Sequence, residues 1–224
     1  LRRIVVFCTD KRVAVSKIAA QDLYDSTKEV TIISCKLVKY TEKRALKIAQ
    51  NQSKPIRLLH VGRIFNSAYF EDAKNQSFII DVLYWLQLNK VNFKMTFCGG
   101  GDNSFLEKKI SFLGIDRSKI KFEQHVDVFE ELNQTDLFLF PSKHEGYGMA
   151  LVEAQYANVY SFASNFIPNE AIINKELVKK LPIGLEDARV WAKEIGSYKP
   201  LSILNDTQVT DYDEYLHSLK SIFS

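Results

Sequence analysis

With 224 residues, 46% hydrophobic and 25% charged, the chain has the make-up of a soluble globular protein large enough to bury a core without disulfide or metal staples. A formal net charge of +3 is too mild to indicate nucleic acid, and no run approaches the roughly 20 apolar residues that span a bilayer. No signal peptide is visible. Cys8, Cys35 and Cys98 are scattered and lack zinc spacing, which favours buried, reduced thiols in a cytosolic protein.

The sequence opens on Leu1-Arg-Arg-Ile-Val-Val-Phe and is expected to continue a chain whose N-terminal portion is not included. Arg12 to Ser34 reads as a βα piece of a neighbouring domain, with a strand at Val30–Ser34. The polar stretch Lys39–Lys54 is the best boundary, dividing the chain into 1–38, 39–200 and a C-terminal helix in 201–224. Ile56–Val61 has a buried-strand pattern and stops at Gly62. Ile79, Ile80, Leu83, Leu86 and Leu88 repeat at helical spacing from about Asn75 to Asn89. Phe93–Cys98 is a strand stopped by Gly99-Gly100-Gly101; Asn103–Phe112 is a helix with Gly114 as its cap. Ile120–Phe122 and Asp136–Phe140 read as strands around a helix at Asp127–Gln134. A helix over Gly148–Ala157 and a strand over Val159–Ala163 follow, then helices at Glu170–Lys175, Asp187–Ser197 and Asp211–Phe223. Strands alternating with helices in this rhythm predict α/β architecture, a Rossmann-like doubly wound parallel sheet. Ligands of such sheets bind outside the carboxyl ends of the strands. Here those ends are Gly62-Arg63, Gly99–Gly101, Gln124-His125, Pro141-Ser142 and Ser164-Asn165.

Arg63 at such an end suits bidentate binding of a diphosphate, and Lys74, just before a helix, adds a point charge to the same anion. The plain alternative pairs both cations locally with Glu71 or Asp72. Gly99-Gly100-Gly101 allows a tight turn, but Ser104 breaks the Gly-x-Gly-x-x-Gly fingerprint. A nicotinamide-dependent oxidoreductase is therefore a poor reading. Pro141-Ser-Lys-His-Glu145-Gly-Tyr-Gly-Met-Ala-Leu-Val-Glu153 carries the strongest signal. A strand runs into a loop freed by Gly146 and Gly148, then into a helix, with two carboxylates able to accept from sugar hydroxyls. An acidic helix start accounts for one glutamate but not for the Gly-Tyr147-Gly loop. His125 and His144 have no acidic neighbour in sequence, His60 is structural, and Ser16 and Ser142 lack the context of a hydrolase nucleophile.

Taken in order, these segments resemble glycosyltransferase family 4, retaining enzymes with the two-domain GT-B fold. The resemblance lies in Val61-Gly62-Arg63 with Lys74-Asn75, Cys98-Gly-Gly-Gly-Asp102, Phe122-Glu-Gln-His-Val-Asp-Val-Phe, Asp136–Ser142, and Glu145 and Glu153 separated by seven residues. Ser164-Asn-Phe-Ile-Pro168 is similar to a stretch of bacterial exopolysaccharide and capsule enzymes. Val13 to Tyr24 resembles the end of the family's N-terminal domain. By this resemblance Arg63 and Lys74 hold the donor diphosphate and stabilise the departing nucleotide. Glu145 meets the donor sugar, Glu153 the ribose, Gln124, His125 and Val126 the base, and Gly62, Gly100, Gly101 and Gly146–Gly148 the ligand through backbone. The resemblance implies a nucleotide-sugar donor, with UDP-hexose expected, and retaining transfer without cofactor or metal. It also implies a glycan or lipid-linked acceptor bound by the absent N-terminal domain, no nucleic acid partner, and a cytoplasmic setting with peripheral association at the inner face of the membrane. The piece alone is expected to bind donor and transfer little. A non-catalytic binding or scaffold module with the same fold is the alternative. Two departures from the family pattern are the long gap from Arg63 to Lys74, with Phe70–Ala73 as an insertion, and Ser34-Cys35-Lys36 in place of Asn-Gly.

Overall fold

The computed structural model describes residues 12–24, 30–33, 54–64, 72–124 and 126–199. The predicted features at Cys8, Ser34-Cys35-Lys36, most of Lys39–Lys54, Phe70-Glu71, His125 and Asp211–Phe223 lie outside these residues.

Two parallel strands, β1 (Arg12–Ala14) and β2 (Val30–Ile32), joined through helix α1 (Lys17–Tyr24), form a small sheet of their own. The main sheet has six strands: β3 (Ile56–Val61), β4 (Phe93–Cys98), β5 (Ile120–Glu123), β6 (Leu137–Phe140), β7 (Tyr160–Ser164) and β8 (Val178–Leu181). All pairings are parallel and the order is β5-β4-β3-β6-β7-β8. Five helices connect or follow the strands: α2 (Gln76–Leu88), α3 (Ser104–Phe112), α4 (Val128–Gln134), α5 (Met149–Tyr156) and α6 (Ala188–Gly196).

Strand side chains alternate between two cores, as a period of two requires. Leu58, Phe97, Leu137, Leu139 and Phe162 pack on one face with Leu83 of α2, Leu106 of α3 and Trp191 of α6. Leu59, Cys98, Phe138, Phe140 and Ala163 pack on the other with Leu132 of α4 and Leu151 and Val152 of α5. Central strands sandwiched in this way read as unbroken apolar runs, and all four residues of β6 are buried. In α6, Ala188, Trp191, Ala192 and Ile195 make one apolar stripe, and Trp191 meets Phe78 of α2 edge-on at 5.4 Å between ring centroids. Burial pushes the Cys98 thiol up to about 12, which leaves it a small core residue without nucleophilic character.

From β3 the chain winds first to β4 and β5, then returns to β6 on the opposite side. The switch point is therefore the crevice between β3 and β6. Its amino end is closed by Arg57 and Asp136, joined at 3.0 Å and 3.2 Å by guanidinium bonds and at 2.9 Å from the Arg57 amide. Its carboxyl end holds the candidate site.

The structure corrects one helix and adds one strand. Glu170–Lys175 is not helical: a single 3-10 turn, Asn169–Ala171, gives way to extended backbone at Ile172. The cause is the buried Gln155 of α5. Its amide donates to the Ala171 carbonyl at 2.8 Å and accepts from the Ile173 and Asn174 amides at 2.9 and 3.0 Å, supplying the partners a helix would have supplied internally. The segment after it is edge strand β8, in which Lys179 faces solvent and Leu181 is buried. Charged residues on an edge strand discourage pairing with other chains and also hide its signature in sequence.

Candidate functional site

At the carboxyl end of β3 and β4 the two chains approach so closely that only glycine fits. The Gly62 amide donates to the Cys98 carbonyl and the Ile64 amide to the Gly100 carbonyl, each at 2.9 Å. Gly99 has a φ of 150° and Gly101 one of 135°, and a Cβ on either would lie about 2 Å from a β3-side carbonyl oxygen, 2.1 Å from Gly62 and 1.9 Å from Ile64 respectively. Gly100, by contrast, has open space where its Cβ would stand. Arg63 is exposed just beyond this contact, and its carbonyl accepts from the Gln76 side chain at 3.0 Å.

Across the switch point, the segment before α2 is stitched to the loop after β6. The Asn75 amide group donates to the Pro141 carbonyl at 3.2 Å, and the Lys143 amide to the Ala73 carbonyl at 2.8 Å. Lys74 Nζ lies 2.6 Å from Glu145 Oε1, with the Glu145 residue only 8% exposed. The local partner expected for Lys74 is otherwise engaged, because Asp72 accepts from the Gln76 and Ser77 amides at 3.3 Å and so caps α2. Asn75 takes a left-handed φ of 56°, which asparagine tolerates, to bring Lys74 round.

Beneath this pair lies His60, wholly buried. Its Nδ1 sits 2.9 Å from the Leu139 carbonyl, which assigns the proton to that nitrogen and leaves Nε2 facing Gln76. Burial, with a smaller push from Lys74, lowers its pKa to about 4 against the upward pull of the Leu139 bond. An unfolded histidine titrates near 6.5, so the unfolded state binds more protons between the two values. The stability this represents is complete above pH 6.5 and is lost as the pH falls toward 4, by up to about 3 kcal/mol. Urea unfolding at steps from pH 7.5 to 4.5 is expected to show that loss, and His60→Gln to flatten it.

The loop from Pro141 leads to α5 through Gly148, whose φ of 98° turns the chain into the helix with no side-chain cap. Glu153, on the second turn, is half-buried, and desolvation raises its pKa. Its side chain carries no hydrogen bond or ion pair among the described residues, so its carboxylate is an unfilled acceptor. Gln124 at the end of β5 reaches the Gly101 carbonyl at 3.5 Å, and Val126 packs on the second core.

The sequence did not reveal the supports of this site. His144 Nε2 lies 2.8 Å from Asp22 Oδ2, an acidic partner invisible in local sequence. The Ser16 hydroxyl donates to the Gly146 carbonyl, and the Ser164 hydroxyl to the Ser142 carbonyl at 2.5 Å. Gln76 and Gln155 carried no motif that would have marked them, and Asn75 was marked only as the neighbour of Lys74. A separate cleft of about 480 Å³ lies on the outer side of the α2 N-terminus, lined by Asp72, Asn75, Phe105, Lys109, Lys143 and Leu185 among others, and not by Lys74, Glu145 or Glu153. Of its two lysines, Lys109 is already held by Asp81 at 2.7 Å and by Ser77 at 2.9 Å. Among the described residues no helix is long and apolar enough to cross a membrane, and no three His, Cys, Asp or Glu side chains are gathered as a metal site would need.

The family model described as glycosyl transferases group 1 matches residues 43–199. The capsular polysaccharide biosynthesis glycosyltransferase CapH of Staphylococcus aureus is 28% identical over 173 residues, which cover 74% of this chain and 46% of that protein. The chain spans under half the length of the curated relatives it matches. A crystal structure of S. aureus TarM, solved as a mutant with Fondaparinux, α-GlcNAc-glycerol and UDP, superposes with a TM-score of 0.70 at 14% identity, covering 98% of this chain and 45% of TarM. Anabaena HepE, solved with UDP and glucose, gives 0.63 at 16% identity over 88% of this chain and 56% of HepE.

Proposed function

The chain belongs to the glycosyl transferases group 1 family, and we propose that its residues 39–200 are the donor-binding half of a family 4 enzyme that transfers a hexose from UDP with retention of configuration. The fold is that of GT-B glycosyltransferases. The observation that carries the reading is the meeting of Lys74 and Glu145, 71 residues apart in sequence, at 2.6 Å over the switch point. A cation held by one carboxylate, with an exposed arginine at the carboxyl end of β3 and an unfilled second carboxylate on α5, suits a ligand that carries both phosphates and hydroxyl groups.

Arg63 grips the diphosphate as a planar fork, and Lys74 adds a charge whose position Glu145 fixes. As the bond from the sugar to the diphosphate breaks, negative charge grows on the departing UDP, and these two cations stabilise it. Glu145 accepts from the hexose hydroxyls and Glu153 from the ribose diol. The amides that open α5 at Gly146–Gly148 face the phosphate or sugar. Gln124 and Val126 border the base, with Gly100 and Gly101, both exposed, offering backbone to the ligand. The acceptor, a glycan or lipid-linked glycan, binds outside residues 39–200, and the product is a cell-surface polysaccharide. UDP bound by TarM and HepE, and the capsule role in the name of CapH, support these choices.

Calorimetric titration with UDP and UDP-glucose tests the reading. Arg63→Ala is expected to weaken both about 100-fold, the loss of a bidentate charged contact worth roughly 3 kcal/mol. Glu153→Gln is expected to weaken both about tenfold while raising the thermal midpoint at pH 7. The sign follows from the raised pKa: burial makes the ionised form costly in the folded state, so its stability contribution is full below the unfolded pKa of 4.5 and is lost as pH rises through the folded value. Unchanged affinity in both variants would sink the assignment.

A further inference from the structure

Ser16 belongs to the small β1–β2 unit, yet it is fully buried and its hydroxyl makes two bonds. It accepts from the Ala19 amide at 3.0 Å, capping α1, and donates to the carbonyl of Gly146 in the loop between β6 and α5. Two further contacts join the same units: the Lys17 amide reaches Glu170 Oε1 at 3.1 Å, and His144 reaches Asp22 at 2.8 Å. Tyr147 anchors the loop in the second core on one side of Gly146, but Gly146 itself brings no side chain to the packing. A Cβ on Gly146 would meet nothing within 4 Å. Glycine backbone left unpacked samples many conformations, and a tether removes that freedom in advance of binding.

We propose that Ser16 is a positioning residue for the sugar end of the ligand: by fixing the Gly146 carbonyl it registers the neighbouring Glu145 carboxylate. The inference rests on the donor-site reading above. The two ends of that ligand are supported differently. Arg63 and Gln124 follow strands of the six-stranded sheet, and Glu153 stands on α5, which Leu151, Val152 and Ala154 anchor in the core. The fixing of Gly146 depends on a hydroxyl outside that sheet. Removing the hydroxyl therefore loosens the hexose contact first, while Arg63, Gln124 and Glu153 keep their supports and Lys74 is still held by the bonds that its neighbours Ala73 and Asn75 make with Lys143 and Pro141.

The test compares UDP with whichever of UDP-glucose, UDP-galactose and UDP-N-acetylglucosamine binds the 224-residue chain most tightly, by calorimetry. Ser16→Gly is the first variant, because glycine costs only a few tenths of a kcal/mol against serine as a helix N-cap while it deletes the bond to Gly146. It is expected to weaken the UDP-sugar roughly threefold to tenfold, to leave UDP unchanged within a factor of two, and to speed amide exchange at residues 144–148. Ser16→Thr, which keeps the hydroxyl, is expected to restore the UDP-sugar affinity. Equal weakening of both ligands, no weakening of either, a folded Ser16→Thr chain that fails to recover, or a Ser16→Gly chain that does not fold overturns the proposal. If the unaltered chain binds neither UDP nor a UDP-sugar, the donor-site reading itself falls and takes the inference with it. If it binds both and Arg63→Ala abolishes that binding, the donor-site reading stands whatever Ser16 does.

Discussion

Lys74→Ala is expected to remove measurable UDP-sugar binding and to lower the thermal midpoint by roughly 6–12 °C, the equivalent of about 3 kcal/mol in a domain of this size. Both effects come from the same ion pair. Lys74 Nζ and Glu145 Oε1 are 2.6 Å apart, and the glutamate side chain is 9% exposed against 27% for the lysine. Deleting the lysine leaves a carboxylate in a poorly solvated place with its compensating charge gone. That costs far more than the pair contributes over a neutral substitute. The double replacement Lys74→Met with Glu145→Gln is therefore expected to recover most of the lost midpoint while binding stays absent, because no buried charge is then stranded and no cation faces the phosphates. Scanning calorimetry separates the two outcomes from titration. A single Lys74→Ala chain with unchanged midpoint and unchanged affinity would contradict the central role given to this pair.

Gly99→Ala is the second large expectation, and here the loss is of the fold itself, above about 4 kcal/mol. The new Cβ would lie 2.1 Å from the Gly62 oxygen and 2.7 Å from its carbon, backbone atoms that cannot swing aside, and the φ of 150° disfavours any side chain. Gly100→Ala is the matched control: its Cβ meets nothing and its change in urea-unfolding free energy is expected to stay within about 0.5 kcal/mol. A ligand-affinity change in the control would then report on the approach of the ligand rather than on packing.

This contrast also marks what the amino-acid order could disclose. The glycine turn after β4 was visible, but its purpose was not. The near-collision of Gly99 with Gly62 and of Gly101 with Ile64 depends on how two parallel strands leave the sheet, and no local pattern encodes that distance. The strands Ile56–Val61 and Phe93–Cys98 were legible because burial on both faces demands continuous apolar runs. Edge strand β8 was not, since one flank needs no apolar cover and Lys179-Lys180 reads as a surface segment. Gly62-Arg63 and the Glu145–Glu153 segment stood out by position at strand ends. Their supports, Ser16 on Gly146, Asp22 on His144 and Gln155 on the 171–174 backbone, did not, because hydrogen-bonding partners far apart in sequence leave no trace in composition or period. The Lys74 pairing went the same way: nearby Asp72 was the obvious candidate from charge alone, but as a helix cap it had a use that outranked an exposed ion pair.

The strand order has a bearing on how the polypeptide is made. β3 lies at the middle of the sheet, yet its second neighbour, β6, pairs Leu137 with Leu58 from 79 positions further on. While a ribosome is extending the chain through β4 and β5, the edge of β3 that will pair with β6 at Leu58 and Leu59 has no mate yet synthesised. Long-range parallel pairing of this kind is slow and exposes sticky edges on the way. The Arg57–Asp136 clamp stands beside the Leu58–Leu137 pair, at the first residues of both strands, and its bonds fit one register of β6 on β3, which favours the native pairing over a slipped one.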